Sequence, residues 1–220
     1  MKQFFWVSTI GGSVLSLMLG ASSAFAGEAP LVGDATAGAA KAVTCSACHG
    51  AAGMSLSPEW PNLAAQHHEY TQQQLGYLKS GVRVAAVMNA MAAALSPQDM
   101  ADLASYFEKQ TPTGLEGDAT LAQAGEKLYR GGVPSRHIPS CMGCHGPNGR
   151  GNGPAKWPQI RGQNATYVAT QLNHYAENAR YTTVAGQPAV DANAAIMTTI
   201  AMRLQPDEIK ALAAYVQGLR

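Results

Sequence analysis

The sequence has 220 residues, of which 46% are hydrophobic, 7% aromatic and 13% charged, and its formal net charge is +1. So small a net charge argues against nucleic acid as a partner. The chain is rich in Ala and Gly and shows no convincing alternation of apolar and polar residues, so we predict an all-α fold of helices joined by loops.

The first 26 residues have the pattern of a secretory signal peptide. Lys2 supplies a positive start, residues 4–19 are largely apolar, and residues 24–26 have the small-x-small form of a signal-peptidase site. We predict cleavage after Ala26 and export of the mature chain. Gly and Ser interrupt the apolar stretch and make it a weak membrane anchor, so retention as an anchor is the alternative.

The rest of the chain is a tandem duplication. Cys45-Ser-Ala-Cys48-His49 recurs 96 residues later as Cys141-Met-Gly-Cys144-His145. Further matches follow at offsets of 97 and then 109: Trp60-Pro61, Gln66, Tyr70, Gln74 and Arg83 match Trp157-Pro158, Gln163, Tyr167, Gln171 and Arg180, and Met88, Leu95 and Pro97 match Met197, Leu204 and Pro206. We predict two domains of one fold, residues 27–112 and 113–220, joined by a Pro/Gly/Thr-rich linker near 110–117. The change of offset is an insertion of 12 residues between Arg180 and Met197.

The last helix of each half has the clearest pattern. Ser96 is a suitable N-cap and Pro97 suits the first helical position. Apolar residues then recur at helical spacing and are expected in the core: Met100, Leu103, Ala104 and Phe107, and, after Pro206, Ile209, Leu212, Ala213 and Val216. Earlier helices are predicted near 37–43, 69–80, 121–130 and 167–178.

The two Cys-x-x-Cys-His segments predict covalent haem. In this motif both thiols form thioethers to the haem vinyl groups, and the adjacent His binds the iron. Four cysteines in an exported protein would otherwise suggest two disulfides, and a Cys-x-x-Cys pair also occurs in redox dithiols and zinc sites. A dithiol leaves both His residues unexplained, and zinc would need further nearby ligands. We therefore predict two haem c groups, attached at Cys45 and Cys48 and at Cys141 and Cys144.

The sixth iron ligand is expected to be methionine sulfur, which is common in haem electron carriers. The candidates are Met54, Met88, Met91, Met100, Met142, Met197 and Met202. Met88 and Met197 are the one pair that the repeat relates, so we predict His49 with Met88 and His145 with Met197. Ligation by His67, His68, His137 or His174 is the alternative, but none of these recurs in the other half; His67 and His68 are expected to be solvated.

Two further pairs of residues are candidates for roles beside the haem. A ligand His usually donates its second ring N–H to a carbonyl, and the carbonyls of Pro61 and Pro158 are plausible acceptors. The recurring Arg83 and Arg180 are candidates to pair with haem propionates. The alternatives are that the prolines only mark a turn and that the arginines lie at exposed helix ends.

Together these motifs resemble the dihaem cytochrome c4 family over essentially the whole mature chain. The resemblance rests on both Cys-x-x-Cys-His segments, the Trp-Pro segments with their Gln, and the Met…Leu-x-Pro endings, although Gln205 replaces the usual Ser before the last helix. It implies two class I cytochrome c domains related by a pseudo-twofold axis, in a periplasmic electron carrier that is often loosely held at the membrane.

The resemblance also implies a quinol–cytochrome c reductase type of donor and a terminal oxidase as acceptor. With His and Met both bound, no iron position stays open for a substrate, so we expect a carrier and not an enzyme. The alternative is the cytochrome subunit of a sulfide- or thiosulfate-oxidising dehydrogenase.

Charge is divided unequally between the two predicted domains. The first holds four basic and seven acidic residues, and the second holds ten basic and seven acidic residues. Such polarity could steer partners differently at the two ends.

Overall fold

The computed structural model describes Met1, residues 31–182 and residues 190–220. Apart from Met1, the predicted signal peptide lies outside the described residues, as does much of the predicted insertion. In the described part of the chain, no helix combines the length and apolarity that crossing a membrane requires.

Helices form the described structure, and extended pairing is limited there to isolated bridges. The first domain contains α1 (Ala35–His49), α2 (His68–Lys79), α3 (Ala86–Ala93) and α4 (Pro97–Glu108). The second contains α5 (Ala119–Gly131), α6 (Met142–His145), α7 (Ala165–Ala176), α8 (Ala192–Ala201) and α9 (Pro206–Gly218). The predicted all-α fold with two tandem helical domains is confirmed, while the boundaries 27–112 and 113–220 stay a prediction.

The helices pack within their own domains, and loops make most of the contact between domains. In the first domain α4 packs on α1 and α2, and in the second α9 packs on α5 and α7. A glycine allows the first and last helices of each domain to approach closely. A Cβ on Gly38 would lie 2.1 Å from the Asp102 carbonyl oxygen, and one on Gly125 would lie 2.1 Å from that of Ala211.

The apolar stripes of α4 and α9 form the two cores as predicted. Leu103 and Phe107 pack with Ala42 of α1, and Leu212 and Val216 pack with Tyr129 of α5. The remaining stripe residues are also buried. The Ser96 hydroxyl accepts a hydrogen bond from the Asp99 backbone N–H at 3.1 Å, which confirms the predicted cap of α4.

Three short helices and one helix boundary differ from the sequence prediction. The helix predicted at 37–43 extends over Ala35–His49 and includes the first attachment segment. The sequence prediction missed the four-residue α6. It also missed α3 and α8, which carry the candidate ligands Met88 and Met197. The helices α3 and α8 are Ala-rich and short, so their helix propensity is high but no long apolar stripe marks them.

Candidate haem sites and the domain interface

The first attachment segment lies at the end of α1. Cys45, Cys48 and His49 occupy its last turns, and Gly50 ends the helix with φ 74°. His49 is 6% exposed, and its Nδ1 lies 2.9 Å from the Pro61 carbonyl oxygen, which confirms the predicted contact. A proton on Nδ1 donated to this carbonyl leaves Nε2 as the metal-binding nitrogen.

The second attachment segment forms a separate short helix, α6. His145 is also buried, and its Nδ1 lies 3.0 Å from the Pro158 carbonyl oxygen, as predicted. Burial lowers the pKa of both His49 and His145, while the hydrogen bond to the proline carbonyl opposes that shift. Both imidazoles are therefore neutral donors near pH 7, as iron ligation requires.

Neither a disulfide nor a reactive dithiol describes the cysteines well. No disulfide joins any of the four. Burial raises the pKa of the Cys45 thiol and raises that of Cys141 to about 11. A catalytic dithiol needs a lowered thiol pKa, so these environments do not suit the dithiol interpretation.

Burial alone does not select Met88 and Met197 among the candidate methionines, because Met54 is partly buried as well. Met88 on α3 and Met197 on α8 are partly buried, on helices that immediately precede the last helix of their domains. Met91 and Met202 are exposed, and Met142 lies in the attachment turn with 37% of its surface exposed. Met100 is buried in the α4 stripe and packs in the core, as expected.

The other histidines lie outside both attachment segments. His67 is not simply solvated, because its Nε2 lies 2.7 Å from the Arg150 carbonyl oxygen of the second domain. His68 Nδ1 lies 3.3 Å from a Glu108 carboxylate oxygen, and 43% of its side chain is exposed, so both histidines keep contact with solvent as expected. His137 lies in a left-handed turn after the short 3₁₀ helix Pro134–Arg136, and His174 lies on α7, as predicted.

Two glutamines make a reciprocal contact between the domains. The Gln66 side chain accepts from the Gln159 backbone N–H at 2.9 Å and donates to its carbonyl at 2.9 Å. Gln163 makes the same two bonds to Asn62, at 2.7 and 3.0 Å. Gln163 is the repeat equivalent of Gln66, and Gln159 has the repeat position of Asn62. The contacts therefore follow the expected pseudo-twofold relation.

Arg83 and Arg180 form a second reciprocal pair of contacts at the interface. Arg83 Nη2 donates to the Tyr167 hydroxyl at 2.9 Å, and Arg180 Nη2 donates to the Tyr70 hydroxyl at 3.1 Å. Arg180 is 3% exposed, so an exposed helix end is the wrong interpretation for this residue. Among the described residues its buried Nη1 has no hydrogen-bond partner. A carboxylate of the kind that haem propionates carry would satisfy this donor.

Sequence reasoning missed which residues form this interface, although the repeat contained their signal. Gln66 and Tyr70 recur in the second copy without any catalytic or ligand role. Polar residues that recur between two domains and have no chemistry of their own are candidates for contacts between the copies.

Two helical domains, each with a Cys-x-x-Cys-His segment and a buried His held by a proline carbonyl, define a dihaem c-type cytochrome. The cytochrome c family model matches residues 35–111 and 122–220. Cytochrome c4 of Azotobacter vinelandii is 43% identical over 202 residues, covering 88% of this chain and 92% of that protein. The crystal structure of reduced recombinant cytochrome c4 from Pseudomonas stutzeri matches with a TM-score of 0.78 at 40% identity, covering 86% of this chain and all of that one.

The chain belongs to the cytochrome c4 family, and it is a dihaem electron carrier with two covalently bound haem c groups. A thiosulfate dehydrogenase electron acceptor from Thiomonas intermedia is also similar, with 33% identity over 180 residues, 80% of this chain and 78% of that protein.

Proposed function

We propose that this chain carries electrons in the periplasm between a quinol–cytochrome c reductase type of donor and a terminal oxidase. The observation that carries the proposal is the duplicated ligand geometry, in which His49 and His145 are buried and each is held through Nδ1 by a proline carbonyl. Two such centres in one chain suit the transfer of single electrons through two haems.

The protein's own residues hold and tune each centre. Cys45 and Cys48 would form the thioethers of the first haem, and Cys141 and Cys144 those of the second. When bound, the haem supplies one-electron chemistry between Fe(III) and Fe(II). The carbonyls of Pro61 and Pro158 fix the tautomer of the ligand His and increase its basicity.

We assign Met88 and Met197 as the sixth ligands. Thioether sulfur is soft and neutral, so it favours Fe(II) and raises the reduction potential. His49 with Met88 and His145 with Met197 would hold the two irons and leave no position for a substrate, so the protein would act as a carrier and not as an enzyme.

The ligand assignment is tested with Met88→His and Met91→Ala. The unmodified oxidised protein should show a thioether–iron charge-transfer band at the red end of its visible spectrum. Met88→His should remove the contribution of the first haem to this band and lower the reduction potential of that haem alone. Met91→Ala is the matched control on the same helix and should change neither. Loss of the first haem's contribution to the band in Met91→Ala but not in Met88→His would show that the assignment of Met88 as ligand is wrong.

Export by a cleaved signal peptide of residues 1–26 would place the protein where haem c is attached and where both partners are reached. A loose association with the membrane is compatible with this assignment. Mass spectrometry of the protein purified from its own host tests the cleavage, since a chain that begins at Gly27 is expected.

The unequal charge of the domains suggests that partners are steered by electrostatics. Arg150 and Lys156 are exposed near the second attachment segment. Reversing both to Glu should slow electron exchange with an acidic partner at low salt and have less effect on a basic one, because exposed charges are screened over about 8–10 Å at physiological ionic strength. Lys210→Glu on α9 is the control. Stopped-flow rates that do not depend on salt would remove the steering proposal and leave the carrier assignment in place.

A second candidate function is acceptance of electrons from a sulfide- or thiosulfate-oxidising dehydrogenase. Similarity to the thiosulfate dehydrogenase electron acceptor favours it. The two candidates separate in one experiment that mixes the purified protein with thiosulfate dehydrogenase and thiosulfate, or with membranes that contain a terminal oxidase. Rapid turnover of thiosulfate or peroxide by the protein alone, with one iron five-coordinate, would instead indicate an enzyme.

A further inference from the structure

A single peptide group in each domain connects the iron-ligand His to the opposite domain. The carbonyl of Pro61 accepts from His49 Nδ1 at 2.9 Å, and the N–H of the same peptide group, on Asn62, donates to Gln163 Oε1 at 2.7 Å. The Gln163 side chain belongs to the second domain. The ligand His of one domain is therefore two hydrogen bonds away from a side chain of the other.

The second domain repeats this arrangement. The carbonyl of Pro158 accepts from His145 Nδ1 at 3.0 Å, and the N–H of Gln159 donates to Gln66 Oε1 at 2.9 Å. All four amide side chains and both imidazoles are buried, with at most 9% of each residue exposed: Asn62, Gln66, Gln159, Gln163, His49 and His145. Bulk water competes little with these bonds.

A hydrogen bond to one end of a peptide group strengthens the bond at its other end. When the N–H donates to an acceptor, electron density on the carbonyl oxygen increases, and chains of such bonds reinforce one another at low dielectric. A stronger carbonyl acceptor withdraws the Nδ1 proton further and makes Nε2 a better electron donor. Better donation to the iron favours Fe(III) and lowers the reduction potential.

We propose that Gln163 is a positioning residue for the first haem and Gln66 a positioning residue for the second, each acting on the opposite domain through the peptide group behind its ligand His. The proposal rests on His49 and His145 as iron ligands, as assigned above. It implies that docking of the two domains contributes to both potentials through the backbone behind each ligand His.

The test compares Gln163→Met with Gln66→Met in the full dihaem protein. Met has a similar length but cannot accept the peptide N–H effectively. Gln163→Met should raise the equilibrium constant for reduction of the first haem by about two- to tenfold, tenfold being about 59 mV for one electron. Gln66→Met should do the same for the second haem. Redox titration followed by absorbance measures both, and Met88→His identifies the signal of the first haem.

The crossed pattern distinguishes tuning from a merely loosened interface. Tyr77→Phe is the matched control, because it removes a 2.7 Å bond from the Tyr77 hydroxyl to Asp191 of the second domain and touches neither peptide group. It should leave both potentials unchanged. Equal shifts of both haems in either Gln variant, a shift in the haem of the variant's own domain, or no shift would overturn the proposal.

Two further outcomes keep the test decisive. If neither variant binds both haems, the side-chain amide NMR signals of Gln163 are measured in the unmodified protein. These signals should respond more to oxidation of the first haem than to oxidation of the second, and the reverse order would overturn the proposal.

If the thioether–iron band is absent from the unmodified protein, the proposed ligand set fails. If the band is present and the crossed shifts are missing, this inference alone fails.

Discussion

The two attachment segments reach one geometry by different paths of the chain. In the first domain the segment is the end of α1, a continuous helix of 15 residues. In the second, α5 ends at Gly131, residues 132–140 form a loop with a 3₁₀ turn, and α6 is a helix of four residues. Yet the distances from His Nδ1 to the proline carbonyl are 2.9 and 3.0 Å.

The preceding helix therefore does not determine where the ligand His lies. Gly132 allows the detour, because its φ is 64° and a Cβ there would lie 2.3 Å from the Ile138 carbonyl oxygen. What the domains share is the helical turn that contains the motif and the proline segment that follows it. These two parts are sufficient to place the imidazole.

The largest expected effect is the loss of one haem. Replacing Cys45 and Cys48 by Ser should give a protein whose mass exceeds the apoprotein by one haem, and replacing Cys141 and Cys144 should give the same mass from the other domain. The unmodified protein should carry two haems that survive denaturation. If either double variant loses both haems, haem attachment in one domain depends on attachment in the other, and the two attachment segments are not independent.

Crowding at the close contact between the first and last helices should destabilise both domains equally, although the chain reaches the two attachment segments by different paths. Gly38→Ala and Gly125→Ala each place a methyl group 2.1 Å from a backbone oxygen, so each should lower the free energy of unfolding by about 1–3 kcal/mol. Gly76→Ala is the control within α2, where a Cβ meets no atom within 4 Å. It should stabilise the protein by about 0.4–1 kcal/mol. Denaturant unfolding of the holoprotein measures all three, and an unchanged Gly38→Ala variant would contradict the close crossing.

The smallest expected effect is a difference between the domains in how much acid lowers their stability. Asp102 accepts hydrogen bonds from Lys41 Nζ at 2.5 Å and from the Asp34 backbone N–H at 2.8 Å, whereas its repeat equivalent is Ala211. The hydrogen bond from Lys41 lowers the pKa of Asp102 to about 2. Because this value lies below the ordinary pKa of about 3.9, the contact stabilises the folded state at neutral pH, and the stabilisation is lost as pH falls from about 4 to about 2.

Asp102→Asn should therefore reduce stability at pH 7 and weaken the dependence of unfolding on pH in that acidic range. Thermal unfolding from pH 7 to pH 2 provides the measurement, with Ala211→Asn as a substitution at the equivalent position. An unaltered acid profile in Asp102→Asn would show that this carboxylate does not distinguish the domains.

The sequence was sufficient to predict the features that depend on local pattern. The motif predicted haem, the capping and apolar spacing predicted α4 and α9, and the repeat predicted two like domains. The contacts of Pro61 and Pro158 were also expected, because the ligand His needs a carbonyl acceptor at short range. The continuity of α1 through the attachment segment was not predicted, whereas the end of α5 agrees with the helix predicted at 121–130. Residues 132–140 contain one glycine and two prolines, which do not continue a helix.

The repeat marks candidate interface residues, but their partners could not be predicted because these depend on how two surfaces meet. No local rule relates Gln66 to Gln159, which lie 93 residues apart in the chain. The partner of Arg180 at Tyr70 is similarly remote, and burial of an arginine without a protein carboxylate is an outcome that composition does not indicate.

The reciprocal glutamine contacts have the form of an isologous dimer interface, in which residue i of one copy contacts residue j of the other and j contacts i. Here both copies belong to one chain, and residues 110–117 tether them. A short tether gives its ends an effective concentration on the order of millimolar. The contact between domains therefore needs only weak intrinsic affinity to stay formed, and it can consist of buried amides whose directional hydrogen bonds fix one relative orientation of the two copies.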